Sequence, residues 1–484
     1  MHVMGIDIGT QGARVIVCGA DGKIIAQASE SFARLDEAAL PPGWAEQNPV
    51  DWWIATETCI KKVIDLLHDS RIGQESIAAI SVDSTSGTVV PIDASGNPLR
   101  PAMMYNDSRA EAEASECNMK GSALTDKLGY KFASSFALPK ILWLKNNEPE
   151  LFRKTSLFIH AADYIVGKLS GDFNISDTSN ALKTGYDLVD RCWPGFIENE
   201  LGITINRLPS IVNPGARIGS VTLDCMVKTG LAAGTPIIAG VTDGTAGFLA
   251  SGAVKPGDWN STIGTTLVLR GVSTELVKDT QGRIYCHAHP QGYWLPGGAS
   301  NVGAECITRF FNGQNLDELN ARVHEYTPSP MLVYPLARIG ERLPFINPDA
   351  ERFVIGSPSD NNELYTAYLQ GVGFVERWCY ELMQELGAEV GDTVFTTGGG
   401  AKSSAWMQVR ADIMGRCVVR PESPECVMGT AAVAASGSIY KNLESAVSAM
   451  IKTGESAEPN GDLVDKYDGF YHAFRQACAE RGYE

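Results

Sequence analysis

The chain has 484 residues, of which 44% are hydrophobic and 20% charged, and its formal net charge is −17. That composition excludes a disordered, coiled-coil or collagen-like chain, and the negative balance would repel a nucleic-acid phosphate backbone. At roughly 100–200 residues per domain the length calls for two to four domains, and no apolar run reaches the ~18 residues of a membrane span.

Residues 3–8, 13–18 and 23–28 read as three short strands, joined by the turn Gly9-Thr10-Gln11-Gly12 and by a two-residue turn at Asp21-Gly22. Both faces of the second strand are apolar, so helices are expected on both sides of the sheet. A helix is expected over 50–68, then a strand over 77–82 with a hairpin partner over 88–92. Further helical patterns cover 107–129, 138–147 and 160–170. A strand over 236–241 meets Asp243-Gly244 and a helix of small residues, 245–251. Ile263-Gly264-Thr265-Thr266 then echoes Ile8-Gly9-Thr10-Gln11, each leading into an apolar strand, as two domains built on one plan would show. A third glycine turn, Gly398-Gly399-Gly400-Ala401, lies between a strand over 393–397 and a helix over 404–414. Mixed strands and helices in both halves give an α/β class. Eleven cysteines without a CxxC pair, and the start MHVMGIDIG without a secretory pattern, lead to the expectation of a reduced, cytoplasmic chain.

Four places could carry chemistry. Asp7-Ile8-Gly9-Thr10 puts a carboxylate and a hydroxyl at a strand end, where glycine lets backbone N–H groups approach a phosphate and the acid suits Mg²⁺. The bland alternative is an acidic hairpin edge. Asp243 stands where a helix opens, either as an N-cap or as a general base toward a substrate hydroxyl. Gly264-Thr265-Thr266 and Gly398-Gly399-Gly400-Ala401 offer two more backbone cradles. Neither a P-loop nor a G-x-G-x-x-G after the first strand is present. His287 and His289 read as strand-surface residues, and Trp52-Trp53 as helix packing.

Asp7-Ile8-Gly9-Thr10, Asp243-Gly244, Gly264-Thr265-Thr266 and Gly398-Gly399-Gly400-Ala401 occur in the order and spacing of the FGGY carbohydrate kinases, which the chain resembles over nearly its whole length. The resemblance implies two ribonuclease H-like (actin-like ATPase) domains flanking a deep cleft, with residues 1–245 binding sugar and 246–484 binding nucleotide. It implies ATP and Mg²⁺ as cofactors and a small-molecule ketose as partner, with no nucleic acid and no membrane, and it allows a homodimer. Asp7, Thr10 and Gln11 would meet the ATP phosphates, Asp7 also the metal. Gly264, Thr265 and Thr266 would hold phosphate, Gly399, Gly400 and Ala401 would lie against adenosine, and Asp243 would be the catalytic base at the sugar.

For the sugar, the loop Asp83-Ser84-Thr85-Ser86-Gly87-Thr88 lacks the Arg-Glu of glycerol kinases and the Gly-Gln-Met-His-Gly of typical xylulokinases. It resembles the D-ribulokinase branch, as do Tyr105-Asn106-Asp107 and Asn180-Ala181-Leu182-Lys183-Thr184-Gly185-Tyr186. Asp83, Thr85, Ser86, Asn106 and Asp107, with Asp243, are therefore the expected substrate contacts, and D-ribulose the expected substrate. D-xylulose is the alternative, because Trp44-Ala45-Glu46-Gln47-Asn48-Pro49 with Trp52-Trp53 resembles a xylulokinase segment. The rival from outside enzymology is an actin-like sugar-sensing module.

Overall fold

A computed structural model describes residues 1–32 and 40–484. The chain forms two compact units, residues 1–250 with 287–292 and 425–452, and residues 251–286 with 293–424 and 453–484.

The first unit is built on a six-stranded sheet. In chain order its strands are β1 (His2–Ile8), β2 (Gly12–Gly19), β3 (Ile24–Ser31), β4 (Ile77–Ser84), β5 (Arg217–Ser220) and β6 (Pro236–Ile238). Across the sheet they run β5-β6-β4-β1-β2-β3. β1 pairs antiparallel with β2 and parallel with β4, and β4 pairs parallel with β6. Helix α1 (Pro49–Asp69) starts at Asn48, whose side chain accepts from Val50 N, with Pro49 in the first turn, a fitting place for a residue without an N–H. Its buried face, including Trp52, Ile60 and Val63, joins Met4, Ile6 and Val15 in one core. Trp52 is thus helix packing. Helices α2 (Ala137–Asn147), α3 (Ala161–Ser170), the single turn α4 (Thr178–Ala181) and α5 (Asp243–Ala250) complete the parts of this unit that bear on the site.

The second unit repeats the plan. Strands β7 (Trp259–Ile263), β8 (Leu267–Gly271), β9 (Ile284–Ala288), β10 (Trp294–Ser300), β11 (Thr393–Thr397), β12 (Cys417–Pro421) and β13 (Thr453–Ala457) lie in the order β9-β10-β8-β7-β11-β12-β13. β7 pairs antiparallel with β8 and parallel with β11, as β1 does with β2 and β4. Helices α6 (Asn361–Glu385) and α7 (Ser404–Met414) cover it, and Trp259, Phe374, Trp406 and Phe474 belong to one aromatic-rich core.

Four expectations differ from what is seen. The expected hairpin of 77–82 with 88–92 does not form: β4 has β1 on one side and β6 on the other, so it offers no free edge, and Val90–Ile92 pairs with Leu157–Ile159 instead. The helix expected over 107–129 breaks at Gly121 into Glu111–Lys120 and Ser122–Leu128. His287 and His289 are buried rather than on a strand surface. The expected second domain, 246–484, is not contiguous, because 425–452 belongs with the first unit. There α8 (Cys426–Ser436) packs on β1, β4 and α5. A Cβ on Gly429 would collide with Ala246 O, so this helix of small residues approaches α5 backbone to backbone.

Candidate active site

The parallel pairing fixes the first half of the site. Asp7 of β1 and Asp83 of β4 are register partners, and Thr242, one bridge beyond β6, pairs with Ser84. Asp7 and Asp83 therefore stand at the ends of adjacent parallel strands, with Asp243 just after the Thr242 bridge beyond the third, at the carboxyl edge where open α/β sheets bind ligands. Because side chains alternate along a strand, Asp7 lies on the face opposite Ile6 and Ile8.

Asp83 is 0% exposed. The Thr430 hydroxyl, on the first turns of α8, donates to it. Burial, then the neighbouring Asp7 carboxylate and more distantly Asp243, push its pKa well above the ordinary 3.8, against the Thr430 bond. Asp7 accepts from Arg14 Nη1 at 3.1 Å. The thiol of Cys426 is raised by burial and by the same three acids, so their fields converge on the start of α8.

Asp243 is the first residue of α5. Thr242 caps it, its carbonyl accepting from Thr245 N and Ala246 N at 2.9 and 2.8 Å. Thr242 N donates to Ser179 Oγ at 2.9 Å, and Ser179 Oγ donates to Asp177 Oδ1 at 2.5 Å. α4 thereby holds the strand end that presents Asp243.

The turn at residues 9–12 is framed by side chains. Gln47 Nε2 donates to Thr10 O at 2.7 Å, Trp52 Nε1 donates to Gln47 Oε1 at 2.8 Å, and Thr10 Oγ1 reaches Tyr105 OH at 3.4 Å. Thr10 and Gln11 are exposed.

In the second unit, Gly264 N donates to Thr266 O at 3.0 Å, and Ala304 N to Gly264 O at 2.7 Å, so residues 302–305 brace the turn from behind while Thr265 stays exposed. Gly398 has φ +87°, and a Cβ there would lie 2.6 Å from Ile263 O; only glycine fits without strain. Gly399 is exposed with nothing within 4 Å of where its Cβ would be, whereas Gly400 and Ala401 are buried. Beside this turn is a cavity of about 430 Å³ lined by Thr396, Thr397, Gly398, Ala401, Arg420 and Glu422, among others. Arg420 Nη1 donates to Ala401 O at 3.2 Å and pairs with Glu455.

Two strand-end systems of this kind, one acidic and one glycine-rich, invite comparison with known proteins. The sequence pattern of the N-terminal domain of the FGGY family of carbohydrate kinases matches residues 2–250, and that of the C-terminal domain matches residues 260–438. The chain belongs to the FGGY family of carbohydrate kinases. A xylulose kinase of Bacillus subtilis (strain 168) is 28% identical over 485 residues, 98% of this chain and 96% of that protein. A gluconokinase of the same strain is 26% identical and covers 88% of this chain and 87% of its own length. Among solved structures, a xylulose kinase from Rhodospirillum rubrum superposes with a TM-score of 0.87 at 24% identity over 99% of both chains. A Plasmodium falciparum glycerol kinase with ADP does so with a TM-score of 0.86 at 20% identity over 98% of both. The fold is that of these kinases, α/β with two sheet-containing domains, and the chain is a sugar kinase.

Within this FGGY kinase the sugar-side expectations separate. Thr85 is buried, its hydroxyl bonded to that of Thr88 at 2.9 Å. Ser86 is half-buried and Asn106 exposed. Both Asp107 carboxylate oxygens accept from Arg109, Oδ2 also from Ala45 N at 2.7 Å. Arg109 in turn lies 3.5 Å over the Trp44 ring and pairs with Glu46 at 2.7 Å. Asp107 is therefore a member of a buried ion network. Asp83, facing Thr430 and Asp7, belongs with the acids.

Arg14 and Ser179 were not singled out in the sequence, and Thr430 and Gln47 stand there in named segments without these partners. The partners lie 7, 63, 347 and 37 residues away, and no local pattern announces such pairs. Lys140 did leave a signal, a lysine inside the apolar run Leu138-Pro139-Lys140-Ile141-Leu142.

Proposed function

We propose that this kinase transfers the γ-phosphoryl group of ATP to the primary hydroxyl of a ketopentose, D-xylulose first and D-ribulose second. The observation that carries the reading is Asp243, held at the first turn of α5 by the Ser179–Thr242 bond and flanked by the acid-bearing ends of β1 and β4.

In this reading Asp243 takes the hydroxyl proton as the oxygen attacks phosphorus. Asp7, Thr10 and Gln11 face the phosphates, Gly264, Thr265 and Thr266 offer backbone N–H donors to them, and Gly399, Gly400 and Ala401 line the adenosine site. Mg²⁺ fits the donor chemistry: the Asp7, Asp83 and Asp243 carboxylates act together on the start of α8, and hard oxygen donors suit this cation. Asp7 would reach the ion through water, with substrate phosphates as its main ligands, as suits a cation reluctant to shed its hydration. When bound, the metal neutralises charge on the transferring group.

D-xylulose is preferred because the relatives named xylulose kinase span almost the whole chain and because Trp44 to Trp53 resembles the xylulokinase segment. D-ribulose is retained because the Asp83–Thr88 loop lacks the xylulokinase Gly-Gln-Met-His-Gly. ADP release with D-xylulose, D-ribulose, D-gluconate and glycerol as acceptors tests the order. The expected result is turnover with both ketoses, D-xylulose giving the higher kcat/KM. A ribulose preference reverses the order, and no ketose-dependent ADP release removes the reading.

A further inference from the structure

The loop after β4 is pinned residue by residue, and its pins include two lysines. Ser84 Oγ accepts from Ala162 N at 2.9 Å, and Thr85 and Thr88 bond each other. The Ser86 carbonyl accepts from Lys183 Nζ at 3.3 Å. The Gly87 carbonyl accepts from Lys140 Nζ at 2.9 Å, and the same Nζ donates to Ser135 O at 3.1 Å. Gly87 has φ +90°, and a Cβ on it would collide with Ser135 O and press on Lys183 Cδ. The loop thus threads between α2 and the turn after α4 at a point where only glycine passes.

Lys140 is fully buried. Burial first, then Lys183 and Arg109, push its pKa down to about 7, with Asp107 opposing. An uncharged amine has two N–H bonds, and two carbonyls stand in reach. Burying a lysine merely to fill space is costly beside a leucine or methionine, so this one calls for a reason beyond packing. Two polar groups near the pins have no protein partner: Ser86 Oγ, on the loop itself, and Asn180 Oδ1, fully buried three residues before Lys183. Buried polar atoms in that state are rare and ask for a ligand or a role.

We propose that Lys140 and Lys183 are positioning residues for the ketose: by holding the Gly87 and Ser86 carbonyls they fix the 84–88 loop and present Ser86 Oγ to a sugar hydroxyl. This rests on the ketose-kinase reading above. Epimers that differ at one secondary carbon are told apart by placed polar groups rather than by pocket volume. A loop held at consecutive carbonyls supplies such placement; a loose one does not.

The test compares Lys183→Met, Lys183→Arg and Lys140→Met with wild type, measuring KM for D-xylulose, D-ribulose and ATP, kcat and Tm. Lys183→Met should raise the ketose KM at least about fivefold and draw the xylulose-to-ribulose ratio of kcat/KM toward unity, with the ATP KM within about twofold. Lys183→Arg keeps a donor and should recover most of the loss. Lys140→Met should act in the same direction; if it does not fold, the Lys183 pair decides. An unchanged ketose KM and epimer ratio in Lys183→Met overturns the proposal. So does a fall confined to Tm and kcat, the mark of a purely structural lysine. A wild type that uses no ketose fails earlier, before any variant is read, and removes the underlying reading together with the proposal.

Discussion

The two sheets share one plan around their central strands and carry different side chains at one matched pair of strand ends. β1 lies between β2 and β4 as β7 lies between β8 and β11, and the turns after β1 and β7 begin Ile8-Gly9-Thr10 and Ile263-Gly264-Thr265. In the register that pairs Asp7 with Asp83 in the first sheet, the second pairs Thr262 with Thr397. Burial, and then the neighbouring Asp7 carboxylate, drive Asp83 toward its protonated form. Two hydroxyls bond each other at 2.8 Å. In the proposed reading the acidic edge serves proton and cation chemistry and the neutral edge underlies a glycine turn that holds the nucleotide. One scaffold would then give a reactive half and a holding half through an exchange of two side chains at matched strand ends.

The sharpest way to break that contrast is at Asp243. Asp243→Asn should lower kcat at least about a hundredfold, the low end of a general base's contribution. Initial rates with saturating D-xylulose would check it, and retention of most turnover would remove Asp243 from the chemistry.

Asp7→Ala should cost less, about tenfold in use of Mg·ATP, with part of the loss restored by raised Mg²⁺ if the acid acts through the metal's water shell. Rates across a Mg²⁺ series decide this, and an unaltered Mg²⁺ dependence would favour the plain hairpin edge.

On the holding side, Gly398→Ala forces a side chain into positive φ against Ile263 O. The expected cost is about 1–3 kcal/mol of stability, together with a raised ATP KM and an unmoved ketose KM.

A smaller effect distinguishes the two edges by pH. The pKa of Asp83 is raised in the folded chain, so its stabilising contribution is complete in acid and is lost as pH rises through the raised value. Without Mg²⁺, the Tm of Asp83→Asn relative to wild type should therefore be more favourable at about pH 8 than at about pH 5. Thr397→Val on the neutral edge should show no such slope and cost about 1 kcal/mol at either pH.

The strand ends and turns were legible in the sequence because a short apolar run ending in Asp-x-Gly, Asp-Gly or Gly-Gly changes hydrophobic pattern at a defined residue. The repeated plan was legible from Ile8-Gly9-Thr10-Gln11 against Ile263-Gly264-Thr265-Thr266. What the sequence could not say is who pairs with whom. Residues 77–82 and 88–92 have strand composition and a turn between them, yet a central strand takes its neighbours from β1 and β6. The helix Cys426–Ser436 is apolar on nearly every side, which marks it as buried but not as belonging to the first unit. Asp107 reads like a cleft acid beside Asn106, and only the folded chain brings Arg109 and Ala45 N onto both its oxygens. The Asp83–Thr88 loop, lacking the xylulokinase motif, and the Trp44–Trp53 segment, whose Gln47 and Trp52 frame the Thr10 turn, point to different ketoses.

The central claim is a division of labour, acids for chemistry and glycine turns for the nucleotide. Its most direct test is calorimetric titration of Mg·ADP into Asp243→Asn and Gly399→Val side by side. Gly399 has open space where a side chain would go, so the valine should block the ligand without unsettling the fold. The account predicts that Asp243→Asn binds ADP within about threefold of wild type, and that Gly399→Val loses at least about tenfold. Loss of ADP binding in Asp243→Asn, or wild-type binding in Gly399→Val, would contradict it.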